Sequence, residues 1–192
     1  MRFARWFGAR KGNGAANVDG GEWVSVLFVC YGNICRSPTA EGVFRVALDR
    51  AGLAGRVRTA SAGVGHSFIG SPPDRRAIQA AGRRGYDLTK LRGRQVEPED
   101  FARFGWILCM DESNLHALAE MKPPEFGGHL GLLLDFAPHL GVREVPDPYY
   151  GAPAGFERVL DLVEASTVGL VAHLQPLLAT READLTEGPR SQ

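Results

Sequence analysis

An α/β fold, a parallel sheet covered by helices on both faces, is what this sequence predicts. Short apolar runs such as 24–29 and 105–110 have the length and β-branched or aromatic content of buried strands. Longer stretches with apolar residues at helical spacing separate them. Clusters of Gly, Pro, Ser and Asp mark each change of element. At 192 residues the chain reads as one domain with room for a substantial core.

The first strand, 24–29, stops at Cys30. A helix over 38–51 can follow, with Pro38 at its first position, Ser37 as N-cap, and an apolar stripe of Ala40, Val43, Phe44, Ala47 and Leu48. Gly52 and Gly55 end it. A second strand is expected over 57–62, then a loop over 63–73 and a helix over 74–84 closing at Gly85. One helical turn fits 98–101 in an otherwise irregular segment. After the strand at 105–110, Asp111-Glu112-Ser113 opens a helix that Pro123 and Pro124 terminate. A fourth strand is expected over 130–136 and a Pro- and Gly-containing loop over 137–154. The last helix, about 155–178, puts Phe156, Val159, Leu160, Val163, Leu170, Val171 and Leu174 on one face. In such a fold ligands gather beyond the C-terminal ends of the strands.

The folded domain is therefore expected over 23–178, with a disordered extension over 1–22 and a disordered tail over 179–192. The extension is basic, carrying Arg2, Arg5, Arg10 and Lys11, but has neither a signal-peptide apolar core nor a serine. No run is expected to span a membrane. With 22 basic and 22 acidic residues the formal charge is +0, which gives no reason to expect nucleic acid or a membrane surface as partner. Three cysteines, Cys30, Cys35 and Cys109, argue against a secreted disulfide scaffold and for a reducing compartment. A cytoplasmic protein is the expectation.

The chemistry lies between the first strand and the first helix, in Cys30-Tyr31-Gly32-Asn33-Ile34-Cys35-Arg36-Ser37-Pro38. A C-x5-R spacing arises by chance about 0.3 times in a chain of this make-up, so the context carries the argument. A short loop there can curl around one tetrahedral oxyanion, with backbone N–H groups pointing inward and Arg36 clamping two oxygens. Gly32 and Asn33 tolerate the positive φ values this needs. Cys30 would lie at the bottom, where the same positive field favours the thiolate. Ser37 can cap the helix or donate its hydroxyl to Cys30. Such a cradle suits attack of sulfur on phosphorus.

The alkoxide or phenoxide expelled leaves better when protonated. Asp147, fixed between Pro146 and Pro148 and followed by Tyr149, Tyr150 and Gly151, is the candidate acid and later the base for water. No metal or cofactor is required, since Arg36 and the loop amides carry the charge, and the five histidines, His66, His116 and His129 among them, form no metal-spaced cluster. Cys35 either closes a disulfide with an oxidised Cys30 or fills space in a tight loop. Cys109 reads as a core residue.

With both motifs in place, the chain closely resembles the low-molecular-weight protein tyrosine phosphatases, from about 24 to 163. Supporting segments are Ser61-Ala62-Gly63, Pro73-Asp74, Arg94-Gln95-Val96 and Met110 to Leu115. The resemblance implies a three-layer αβα sandwich with a four-stranded parallel sheet, and makes 23–178 a phosphatase domain. It maps the nucleophile to Cys30, the phosphate clamp to Arg36, the hydroxyl donor to Ser37 and the general acid to Asp147. It makes Asn33 a loop-shaping residue held by hydrogen bonds with Ser61 nearby. Tyr31, Phe68, Tyr149 and Tyr150 would wall an aryl ring, and Ile34 favours phosphotyrosine where related arginine phosphatases carry threonine. The substrates implied are tyrosine-phosphorylated proteins, among them a bacterial tyrosine kinase of polysaccharide synthesis. The sequence departs from the family pattern at Val64, at Ser67, which aligns with an entrance aromatic, and at Leu91, which aligns with a supporting histidine. Two other readings are an arsenate reductase on the same fold, which needs two further cysteines downstream, and a phosphate-binding module without catalysis.

Overall fold

The structure is a computed structural model and describes residues 24–187; the extension expected at 1–22 lies outside the described residues. In chain order the elements are β1 (Val24–Cys30), α1 (Arg36–Arg50), β2 (Val57–Gly63), α2 (Arg75–Arg83), α3 (Asp100–Arg103), β3 (Trp106–Cys109), α4 (Glu112–Met121), β4 (His129–Leu132) and α5 (Ala154–Glu187). The four strands form one parallel sheet in the order β2-β1-β3-β4. From β1 the chain steps outward to β2 and then crosses to β3 on the other side. The crevice beyond the C-terminal ends of β1 and β3 is thus the switch point where such sheets bind ligands.

The apolar run of β1 reflects burial on both faces. Its residues alternate: Val24, Val26, Phe28 and Cys30 pack with α1, α2 and α5, whereas Leu27 and Val29 pack with α3 and α4. Phe28 meets Phe44 of α1 edge to face at 5.4 Å, and burying one such side chain contributes about 1.5–3 kcal/mol. The layers are α1, α2 and α5, then the sheet, then α3 and α4.

The structure corrects several expectations. Helix α1 starts at Arg36, before Ser37, and Cys35 stands at its N-cap with no side-chain cap. The Ser37 hydroxyl is drawn instead to Cys30 and the Ala62 carbonyl. The fourth strand ends at Leu132, and Leu133–Phe136 form a 3-10 turn. Asp135 Oδ2 accepts the Leu132 N–H at 3.3 Å. The Phe136 carbonyl then meets α5 at Gly169, where a Cβ would lie only 1.9 Å from it. Helix α5 continues to Glu187, through residues expected to be a tail. After Pro176 the sequence to Glu187 holds neither Gly nor Pro and is rich in Leu, Ala and Glu, which sustain a helix. Within it Ala154–Thr180 is long and apolar enough to cross a bilayer by length and composition, contrary to expectation. Its apolar residues, Phe156, Val159, Leu160, Val163, Leu170 and Leu174 among them, are buried against the sheet and α1, which is how a core helix meets the same test.

Candidate active site

The loop from β1 to α1 closes around the sulfur of Cys30. Asn33 has φ 54°, the one non-glycine positive φ among the described residues, and this turns its N–H onto Cys30 Sγ at 3.3 Å. Asparagine is among the residues that enter this region most readily. Its side chain spans the loop, donating from Nδ2 to Ser37 Oγ at 2.9 Å and accepting the Arg94 N–H at Oδ1 at 2.9 Å. Ser37 Oγ in turn lies 3.0 Å from Cys30 Sγ and 3.2 Å from the Ala62 carbonyl. One hydroxyl proton faces two acceptors, so it can turn to sulfur when Cys30 is a thiolate. The end of β2 passes so close that a Cβ at Gly63 would lie 2.7 Å from the Tyr31 carbonyl. Because no side chain caps α1, its first N–H groups have neither an intrahelical partner nor a cap and suit an anion.

Arg36 is buried, only 3% exposed. Its Nη1 donates to Asp111 Oδ2 at 2.5 Å and to the Val145 carbonyl at 3.1 Å, and Nη2 donates to Asp147 Oδ2 at 2.9 Å. Of the five guanidinium N–H groups, these leave Nε–H and one Nη2–H for two oxygens of a tetrahedral anion. Burial works against the charge, but negative charge on Cys30, Asp111 and Asp147 outweighs it and raises the Arg36 pKa. Asp147 reaches the site because the Val145 N–H extends the sheet edge by donating to the Met110 carbonyl at 2.8 Å. The Asp147 carboxylate also accepts the Tyr149 N–H at 3.1 Å.

A cleft of about 300 Å³ opens over this floor. Cys30, Ile34, Cys35 and Arg36 line it with Asp147, and Tyr31, Phe68, Tyr149 and Tyr150 are its aromatic residues. Phe68 and Tyr149 stand 6.0 Å apart between centroids, tilted against each other, so the two rings form one continuous apolar wall for an aryl group. Ser67, where relatives were expected to carry the entrance aromatic, lines the cleft beside Phe68. Leu91 packs against the core.

Ser61 does not take part in holding Asn33. Its hydroxyl donates to Glu41 Oε2 at 2.6 Å and not to Asn33, which takes its partners from Ser37 and Arg94. Burial raises the Glu41 pKa against the opposing pull of Ser61 and Arg45. Burial, followed by Asp74 and Cys30, pushes the Cys35 thiol up to about 12. Cys109 is fully buried within β3, with its thiol also pushed up by burial and then by Asp111. Among the described residues no group of three His, Cys, Asp or Glu is placed to hold a metal ion.

Two partners escaped the sequence reading. Asp111 was legible only as a helix opener, yet its place just past β3 brings it to the same sheet edge as Cys30, the one signal that could have found it. Arg94 stood out only within the Arg94-Gln95-Val96 segment, and nothing local pointed to its N–H holding Asn33 across 61 residues of sequence.

Residues 25–179 match a family model described as low molecular weight phosphotyrosine protein phosphatase. The chain is 38% identical over 152 residues to YfkJ, a low molecular weight protein-tyrosine-phosphatase of Bacillus subtilis, covering 79% of this chain and 96% of YfkJ. The YfkJ crystal structure is similar with a TM-score of 0.76, covering 82% of this chain and 98% of that one. A protein tyrosine phosphatase of Entamoeba histolytica, crystallised with Hepes in the active site, gives a TM-score of 0.77 at 35% identity over 80% of this chain and 97% of that one. Vibrio vulnificus Wzb in complex with benzylphosphonate gives 0.67 at 28% identity over 79% and 99%.

Proposed function

This chain belongs to the low molecular weight phosphotyrosine protein phosphatase family and is a protein-tyrosine phosphatase, and we propose that Cys30 is its nucleophile, Arg36 its phosphate clamp and Asp147 its general acid and base. The observation that carries the assignment is the meeting of all three around one cleft, with Asp147 resting on Arg36 Nη2 at 2.9 Å.

The phosphate of a phosphotyrosine enters over Cys30, its oxygens taken by the loop N–H groups and by Arg36 Nε–H and Nη2–H. The Cys30 thiolate, holding the Ser37 O–H bond, attacks phosphorus; the S–P bond forms as the bond to the phenolic oxygen breaks. The entering phosphate displaces Asp147 from Arg36, and Asp147, carrying the proton it took from water in the preceding turnover, turns to the leaving oxygen and gives that proton to it. The resulting carboxylate then takes a proton from a water that attacks the cysteinyl phosphate. The P–S bond breaks, inorganic phosphate leaves and the thiolate returns.

Tyrosine-phosphorylated proteins are the substrates. As a specific partner we infer a bacterial tyrosine kinase of polysaccharide synthesis, on the resemblance of the two motifs to bacterial members; incubation with the autophosphorylated kinase, followed by phosphotyrosine immunoblotting, tests it. We infer a cytoplasmic location, supported by three cysteines that are all free and buried.

The deciding experiment is hydrolysis, without added metal, of a phosphotyrosine peptide against phosphoserine and phosphoarginine peptides. Cys30→Ser should abolish turnover, and Asp147→Asn should lower it roughly 10²–10⁴-fold. Binding without turnover by the wild type would leave a phosphate-reading module instead.

A further inference from the structure

We propose that Arg76 is a positioning residue that couples the turn carrying Asp147 to the anion loop; the inference rests on Asp147 being the general acid. Arg76 lies in the first turn of α2, outside the cleft lining. Its guanidinium grips Asp74 in a fork, Nε to Oδ1 at 3.0 Å and Nη2 to Oδ2 at 2.8 Å, while its own N–H completes the helix cap on Oδ1 at 2.8 Å. The Asp74 N–H donates to the Ile34 carbonyl of the anion loop at 2.8 Å. In the other direction Arg76 donates to the carbonyls of Tyr149 at 2.9 Å and Gly151 at 3.4 Å. It also stands over the rings of Phe156 at 4.6 Å and Tyr149 at 5.8 Å.

One continuous path thus runs from Ile34 through Asp74 and Arg76 to the Tyr149 carbonyl, and the N–H of the same residue holds Asp147 Oδ1. Prolines on both sides of Asp147 stiffen the segment, so fixing the Tyr149 carbonyl fixes the reach of the acid. The contacts to Asp74 and the two carbonyls are spread over Nε, Nη1 and Nη2; the three donors of lysine all leave one nitrogen and cannot span them.

The test compares kcat/KM, which extends only to formation of the cysteinyl phosphate, for phenyl phosphate and 4-nitrophenyl phosphate. Phenoxide needs a proton to leave well, whereas nitrophenoxide leaves without one. Arg76→Met keeps much of the packing on Tyr149 and Phe156 and should lose roughly ten- to hundredfold on phenyl phosphate, with at most about threefold on the nitrophenyl ester. Arg76→Lys should follow it. Asp74→Asn, which keeps the helix cap, should lose in the same sense by a smaller factor. Equal losses on both esters, or none on either, would overturn the positioning role while leaving Asp147 as the acid. Absence of leaving-group dependence in Asp147→Asn would overturn both assignments. Melting temperatures of the variants exclude unfolding as the cause.

Discussion

Asp111 Oδ2 sits 2.5 Å from Arg36 Nη1, while Oδ1 of the same carboxylate caps α4 through the Asn114 N–H at 2.7 Å. The orientation of the phosphate clamp is thereby tied to the start of a helix on the opposite layer of the sandwich. Asp111→Asn preserves the cap, since asparagine serves as well as aspartate there, but removes the charge behind Arg36. A hydrogen bond to a charged group contributes about 1.5–3 kcal/mol, so kcat/KM on a phosphotyrosine peptide should fall roughly ten- to hundredfold. A wild-type value would remove Asp111 from the clamp.

Asn33 combines a strained backbone with two side-chain bonds, and two substitutions separate them. Asn33→Gly keeps φ 54° available but loses the bonds to Ser37 Oγ and the Arg94 N–H. Asn33→Ala loses the same bonds and adds the left-handed penalty, about 1–2 kcal/mol. Urea unfolding should rank stability as wild type, then Gly, then Ala. Catalysis should fall in both, because the Ser37 hydroxyl loses its orientation. Equal stability of the two variants would mean the loop relaxes to negative φ.

What could be read from residue order is what depends on local pattern. The apolar run into Cys30, the Ser-Pro after Arg36 and the two prolines around Asp147 each announce an element or a stiff turn, and together they pointed to the sheet and to the three residues proposed for catalysis. Contacts set by distant chain crossings were invisible: Asp111 behind Arg36, the Arg94 N–H on Asn33, and Glu41, not Asn33, as the partner of Ser61. The fourth strand was drawn too long because Leu132, Leu133 and Leu134 are apolar whether extended or in a 3-10 turn. The choice was made by Asp135 and by the approach of α5 at Gly169.

Cys35 shares the cleft with Cys30, and its pKa of about 12 keeps it a thiol at neutral pH. Peroxide would oxidise Cys30 to the sulfenic acid, with which the Cys35 thiol can condense, forming a disulfide and releasing water. Low thiolate content makes that closure slow. Cys35→Ser should leave turnover largely intact while making peroxide inactivation harder to reverse with dithiothreitol. Identical recovery of the two proteins would reduce Cys35 to a filler.

His129 opens β4 with its Nε2 buried and without a hydrogen-bond partner. Its ring lies 4.8 Å from that of Trp106 and 6.2 Å from that of Phe136, and His173 of α5 packs against the same two rings at 5.2 and 5.5 Å. Burial lowers its pKa; Asp135 pulls the other way, and His173 adds to the lowering. The unfolded chain, where histidine titrates near about 6.5, therefore binds a proton that the folded chain resists. Stability is complete above that pH and declines as pH falls toward the lowered folded pKa, with a slope of at most about 1.4 kcal/mol per pH unit from this one site. Replacing the imidazole by a ring that cannot protonate removes the term, so His129→Phe should flatten the decline of melting temperature between pH 7 and pH 5 relative to wild type. Parallel profiles for the two proteins would assign the acid sensitivity to other groups.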